Sequence, residues 1–142
     1  MTPQEVELVQ ASFGKVLPQA EAAAGLFYER LFEIAPHVRP YFRGNLRAQG
    51  AKLMTTLCAV VESLHDLDEL MPSVRAMARR HVAYGVTPAD YQPVGAALVH
   101  ALSVHLGEEF TPDVRGAWLS AYADLSSEMI MAAYPPRGAE GP

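Results

Sequence analysis

The chain has one cysteine, Cys58, in 142 residues. That excludes an internal disulfide and fits a reducing compartment, the cytoplasm. Excess positive charge is also missing, since 11 Lys and Arg face 16 Asp and Glu for a net charge of -5. Such a balance offers no electrostatic footprint for nucleic acid or an anionic membrane surface. Every apolar run is interrupted by charge before it reaches about 18 residues, so no bilayer span is expected. The first residues include Glu5 and Glu7 and lack a basic start, which argues against a signal peptide. Strand patterns, internal repeats and low-complexity blocks before the end are absent as well. Cys58 lies in the apolar run Leu57 to Val61, where a small buried hydrophobe is the expected role rather than a reactive thiol.

What the chain does have is apolar content, half of its residues, and punctuation suited to helices. A single domain of this length buries roughly two-thirds of its unfolded surface without a staple. Thr2-Pro3, Thr87-Pro88 and Thr111-Pro112 each set a capping hydroxyl before a proline that is harmless in a first turn. Glu5 and Asp90 stand three residues after Thr2 and Thr87, where an acid returns the cap. Helices are predicted over 3–17, 18–34, 46–64, 72–85, 88–106 and 112–134, with a short turn over 36–42 and a tight loop over 43–45. The acidic HDLDEL stretch, residues 65–70, reads as a surface turn. Residues 135–142 lack an apolar anchor and are expected to be a disordered tail after a domain over 1–134. The pattern is all-α with unequal helices, which suggests a cavity between them rather than a regular bundle.

His81 is the most informative side chain. At helical period Val74, Met77, Ala78, His81 and Val82 share one side, and Arg75, Arg79 and Arg80 fall largely on the other. An inward imidazole is either a core histidine bonded to a carbonyl or a metal ligand. Other polar tips interrupt oily faces: Tyr28 among Phe27, Leu31 and Phe32, Gln49 four residues before Leu53, and Tyr91 ten after His81. Each alone is routine, but every buried polar group needs a partner or costs about 1 to 3 kcal/mol. A pocket that uses several of them is the economical account. His100 and His105 do not share a helix face, and His37 sits in a prolyl segment, so none of these forms a metal pair.

The set LFYERLFEIAPHVRPYF, QGAKL, ARRHVAYGVTPADYQPVG and AWLSAYADL resembles a bacterial single-domain globin, similar to the haem domain of flavohaemoglobins. The resemblance runs from about residue 3 to residue 134 and implies a globin fold of six to eight helices around a haem pocket. It implies His81 as the proximal ligand to the iron of haem b, Phe42 stacked on the porphyrin, and Tyr91 on the proximal side. Tyr28 and Gln49 would face the open position, with Leu53 as an apolar wall beside it. Lys52 and Arg80, with Arg79, would supply rim cations for the propionates. Small residues Ala24, Gly25 and Gly50 would let two helices cross closely and bring Tyr28 and Gln49 together.

Reversible binding of dioxygen, with carbon monoxide and nitric oxide as further ligands, is the expected function, for storage, delivery or sensing. Conversion of nitric oxide to nitrate is the alternative. The chain is expected to end without a flavin or nicotinamide domain, so that enzyme would need a separate reductase. One departure stands out. Flavohaemoglobin-type domains carry a glutamate eleven residues after the tyrosine corresponding to Tyr122, and here that position is Ala133. Without it the imidazole keeps less anionic character, which argues against peroxidase-like chemistry. The segment between Phe42 and Gln49 is also shorter than in some relatives. A plain helical interaction module with a structural His81 is the reading outside haem proteins.

Overall fold

The computed structural model describes residues 2–42, 44–83 and 85–134; the expected tail falls outside them. Six α-helices are described: α1 Pro3–Val16, α2 Ala20–Ile34, α3 Leu46–Glu62, α4 Leu67–Ala83, α5 Tyr91–Leu106 and α6 Pro112–Ala133. Short 3-10 segments link them, among them Pro36–Tyr41 and Pro88–Asp90. No strand occurs among the described residues, and no helix is long and apolar enough to cross a membrane.

The capping signals act as read. At α1 the Glu5 amide donates to Thr2 Oγ1 at 3.1 Å and the Thr2 amide donates to Glu5 Oε1 at 2.9 Å. Val114 N–H donates to Thr111 Oγ1 at 3.3 Å at the start of α6. Asn45 caps α3 by accepting from the amides of Arg47 and Ala48, a signal the sequence reading passed over. Gly85 closes α4 with φ of 100°, the left-handed region that favours glycine.

The structure corrects four expectations. The acidic stretch is not a surface turn: α4 begins at Leu67, with Asp68 and Glu69 in its first turn, where the helix dipole favours negative charge. Pro72 consequently lies inside the helix rather than at its start. Val82 is 41% exposed, not inward. It sits about 80° round the helix from Val74, which is 1% exposed, so the inward stripe runs through Val74, Ala78 and His81. Gly25 is exposed with nothing within 4 Å of a notional Cβ and has no part in the helix crossing.

Two cores result. The larger joins α1, α2, α3, α5 and α6 around Val9, Val16, Leu31 and Val38, all buried. α2 packs on α5 and α3, while α1 packs on α6. There Trp118 Nε1 donates to Ser12 Oγ at 2.8 Å, and Ser12 in turn donates to the Leu8 carbonyl, so this buried polar pair is satisfied. The smaller core, Val74, Ala78, Tyr91 and Met129, fixes α4 to α6 and lies behind His81. Cys58 is half-buried against the larger core and lies 3.5 Å from Glu62 Oε1. Desolvation, then that carboxylate, push its thiol pKa up, which suits an inert side chain.

Candidate functional site

His81 stands in the last turn of α4, half-buried, one turn after Met77. Its Nδ1 lies 2.7 Å from the Met77 carbonyl oxygen. A carbonyl only accepts, so Nδ1 donates to it, and Nε2 is the ring nitrogen that could serve as a metal ligand. Both readings of His81 therefore meet in one geometry: the carbonyl bond of a core histidine is also the bond that orients a metal-ligating imidazole. The Tyr91 ring lies nearly parallel to it, with centroids 6.4 Å apart and planes at 21°. Behind the helix end, the Val86 amide returns to the His81 carbonyl at 3.0 Å. Among the described residues no three His, Cys, Asp or Glu side chains are grouped to hold a metal ion. An imidazole so oriented suits a metal that brings its other donors with it, as iron in a porphyrin does.

A second group assembles on α2. Tyr28 is buried, with Phe42 edge-on at 5.2 Å, Phe27 edge-on at 5.2 Å and Phe32 stacked at 5.9 Å between ring centroids. Burial pushes the Tyr28 phenol pKa above its ordinary value, so the group stays an uncharged O–H donor. Phe42 also meets Phe32 edge-on at 5.6 Å, and the Arg39 guanidinium sits 5.1 Å from the Phe32 ring centroid. The α2–α3 crossing depends on Gly50. A Cβ there would lie 3.0 Å from the Ala24 Cβ and 3.5 Å from Tyr28 Cε2. The turn of α3 that carries Gln49, half-buried, is thus pressed against the Tyr28 ring, as the small residues at 24 and 50 predict. Leu53, one turn on and half-buried, lines a small apolar void of about 10 Å³ together with Phe27 and Ala24.

On the side of His81, the Tyr122 hydroxyl donates to the backbone carbonyl of Tyr91 at 2.5 Å. Gly95 makes this approach: a Cβ there would fall 2.6 Å from Tyr122 Cε2. Ala133 packs, partly buried, against the small core that holds Tyr91. Lys52 and Arg80 are both exposed, on α3 and α4.

Sequence reading missed one pair. His37 Nε2 lies 2.8 Å from Asp90 Oδ1, while the Thr87 amide donates to Asp90 Oδ2 at 2.9 Å. Asp90 was read as a cap, and the spacing Thr87–Asp90 signals that half; nothing local signals a partner 53 residues away. Burial pushes the Asp90 carboxyl upward, but the Thr87 amide and then His37 outweigh it, and its pKa ends below the ordinary value.

The globin family model matches residues 25–129. The chain is 29% identical over 133 residues to a flavohemoprotein of Rhodopirellula baltica, an alignment covering 92% of this chain and 33% of that one. It is 26% identical over 128 residues to a flavohemoprotein of Bacillus subtilis, covering 88% and 32%. The chain therefore spans about a third of the length of the curated relatives it matches. Its fold is similar, at a TM-score of 0.84 and 27% identity over 94% of this chain and 93% of the other, to an engineered carbene transferase. That protein is built on RmaNOD of Rhodothermus marinus, assigned as a nitric oxide dioxygenase. With all-α architecture, an oriented imidazole and a family match across most of its length, the chain belongs to the globin family.

Proposed function

We propose that this globin holds haem b through His81 Nε2 and binds dioxygen reversibly, with carbon monoxide and nitric oxide as further ligands. Haem b is the cofactor expected of a globin, and when bound it supplies an iron with one position open to diatomic gases. The chain's own residues set the rest. The Met77 carbonyl orients the imidazole. Phe42, held edge-on to Tyr28 and Phe32, would wedge the porphyrin. Tyr28 and Gln49 supply uncharged donors, Leu53 excludes water beside them, and Lys52 and Arg80 serve the propionates from the rim.

The observation that carries this reading is the Tyr28 phenol, buried in an aromatic box and held protonated. A bound haem would supply the iron; the Tyr28 O–H would then slow release of a diatomic ligand that draws negative charge, as dioxygen does, and do little for carbon monoxide. Tyr28→Phe is expected to speed oxygen dissociation tenfold or more, the worth of one hydrogen bond of about 1.4 kcal/mol. Stopped-flow displacement by carbon monoxide measures it, and an unchanged rate removes Tyr28 from the role.

A second reading, nitric oxide dioxygenase, is favoured by the flavohemoprotein relatives and by the assignment of the Rhodothermus protein. That activity consumes an electron for each nitric oxide converted, and in this reading a separate reductase supplies it. The distinguishing observation is whether extract of the source cell reduces the ferric protein fast enough to sustain nitric oxide consumption. The cytoplasm, expected from the lone Cys58, is the compartment where such a donor would be met.

A further inference from the structure

Among the described residues Asp90 is the one buried carboxylate, with its side chain 5% exposed. Burying a charge is costly unless both oxygens find partners. The local cap needs only Oδ2, which accepts from the Thr87 amide. Oδ1 does something capping does not require: it meets the His37 ring across 53 residues of sequence. His37 belongs to the 3-10 segment Pro36–Tyr41, and that segment runs directly into Phe42, whose amide donates to the Arg39 carbonyl at 3.1 Å. Thr87 belongs to the corner after α4, where the Val86 amide holds the His81 carbonyl and the Val86 carbonyl accepts from the Tyr134 hydroxyl. The same two segments also touch at Tyr41, whose ring lies 3.2 Å from a notional Cβ on Gly85. A continuous path thus runs from Phe42 through His37, Asp90, Thr87 and Val86 to His81.

We infer that Asp90 and His37 are positioning residues for the cofactor: their hydrogen bond buckles the segment bearing Phe42 to the corner behind His81, and so sets how long the chain retains a bound porphyrin. This rests on the haem reading proposed above. The buckle joins two chain segments that would grip the group at separate points, so opening it frees both grips without unpacking either core. Neither residue would serve as an iron ligand in this reading.

The test uses the full chain with haem bound and follows transfer of the haem to an excess of apomyoglobin at neutral pH. His37→Ala is expected to speed haem loss about fivefold, the size of effect one hydrogen bond gives. Because His37 is 61% exposed, water takes the place of its ring beside Asp90 Oδ1 in the haem-free protein, whose thermal midpoint is expected to stay within about a degree of the unsubstituted chain. His37→Gln, whose amide can donate to Oδ1 in place of the ring, is expected to restore retention. Asp90→Asn, with the acceptor charge removed but the shape kept, is expected to lose haem faster as well. Equal loss rates for His37→Ala and the unsubstituted chain overturn the inference. So does faster loss matched by a fall in haem-free stability, or failure of His37→Gln to rescue. If the unsubstituted chain takes up no haem at all, showing no Soret band, the haem reading itself falls and this one with it.

Discussion

The Tyr122 hydroxyl donates to the Tyr91 backbone carbonyl at 2.5 Å. This bond ties α6 to the start of α5 directly behind the His81 ring, on which Tyr91 stacks. It exists because Gly95 leaves room for the Tyr122 ring, and two predictions follow from that arrangement.

Gly95→Ala drives a methyl group to 2.6 Å from an aromatic edge on a neighbouring helix. Overpacking of a buried contact costs about 1 to 3 kcal/mol, against which the better helix propensity of alanine returns less than 1 kcal/mol. A net loss of stability of about 1 to 2 kcal/mol is expected in urea unfolding. An unchanged or raised midpoint would show that Tyr122 moves aside freely.

Ala133 packs against the same small core as Tyr91, and by the resemblance described above it stands where flavohaemoglobin-type domains carry a glutamate. Ala133→Glu is expected to add anionic character to His81 and so stabilise ferric iron. The reduction potential of the haem-loaded protein should move negative by about 60 mV, a tenfold change for one electron. Spectroelectrochemistry reads this directly, and a positive shift would contradict it.

Burial pushes the phenols of Tyr28, Tyr91 and Tyr122 above the ordinary value of 10, and most strongly for Tyr122; Tyr41 is raised too, by desolvation and then by the charge of Asp90. The folded state keeps these groups protonated while the unfolded chain ionises near pH 10. Their contribution to stability is therefore present below pH 10 and lost as pH rises above it. Ultraviolet titration at pH 10 to 11 should show tyrosinate absorbance well short of full ionisation until the protein unfolds, then a cooperative rise. A titration that follows free tyrosine from the outset would contradict the burial.

Much of this was legible in the sequence because it is local. Thr2, Thr87 and Thr111 start helices through contacts three residues away, and Gly85 ends one through its own backbone angle. The stripe of Ala24, Phe27, Tyr28 and Leu31 is buried as its period requires. The acidic stretch before Met71 misled because solvated acids suit a turn and a helix start equally, and Pro72 looked like a first-turn residue. The apolar character of Val82 concealed a position that period alone assigns to the rim. What could not be read is contact across the chain. His37 with Asp90, and Gly95 with Tyr122, depend on which helices meet, and one sequence holds no signal for that beyond the residues themselves.

The absorption spectrum of the chain after reconstitution, with and without His81, tests the central assignment most directly. The account predicts a strong Soret band and a five-coordinate ferrous spectrum, since Gln49 is a poor iron ligand. With His81→Ala that ferrous spectrum should be lost, and added imidazole should restore it. A colourless protein, sharp six-coordinate ferrous bands, or a spectrum indifferent to His81→Ala would contradict it.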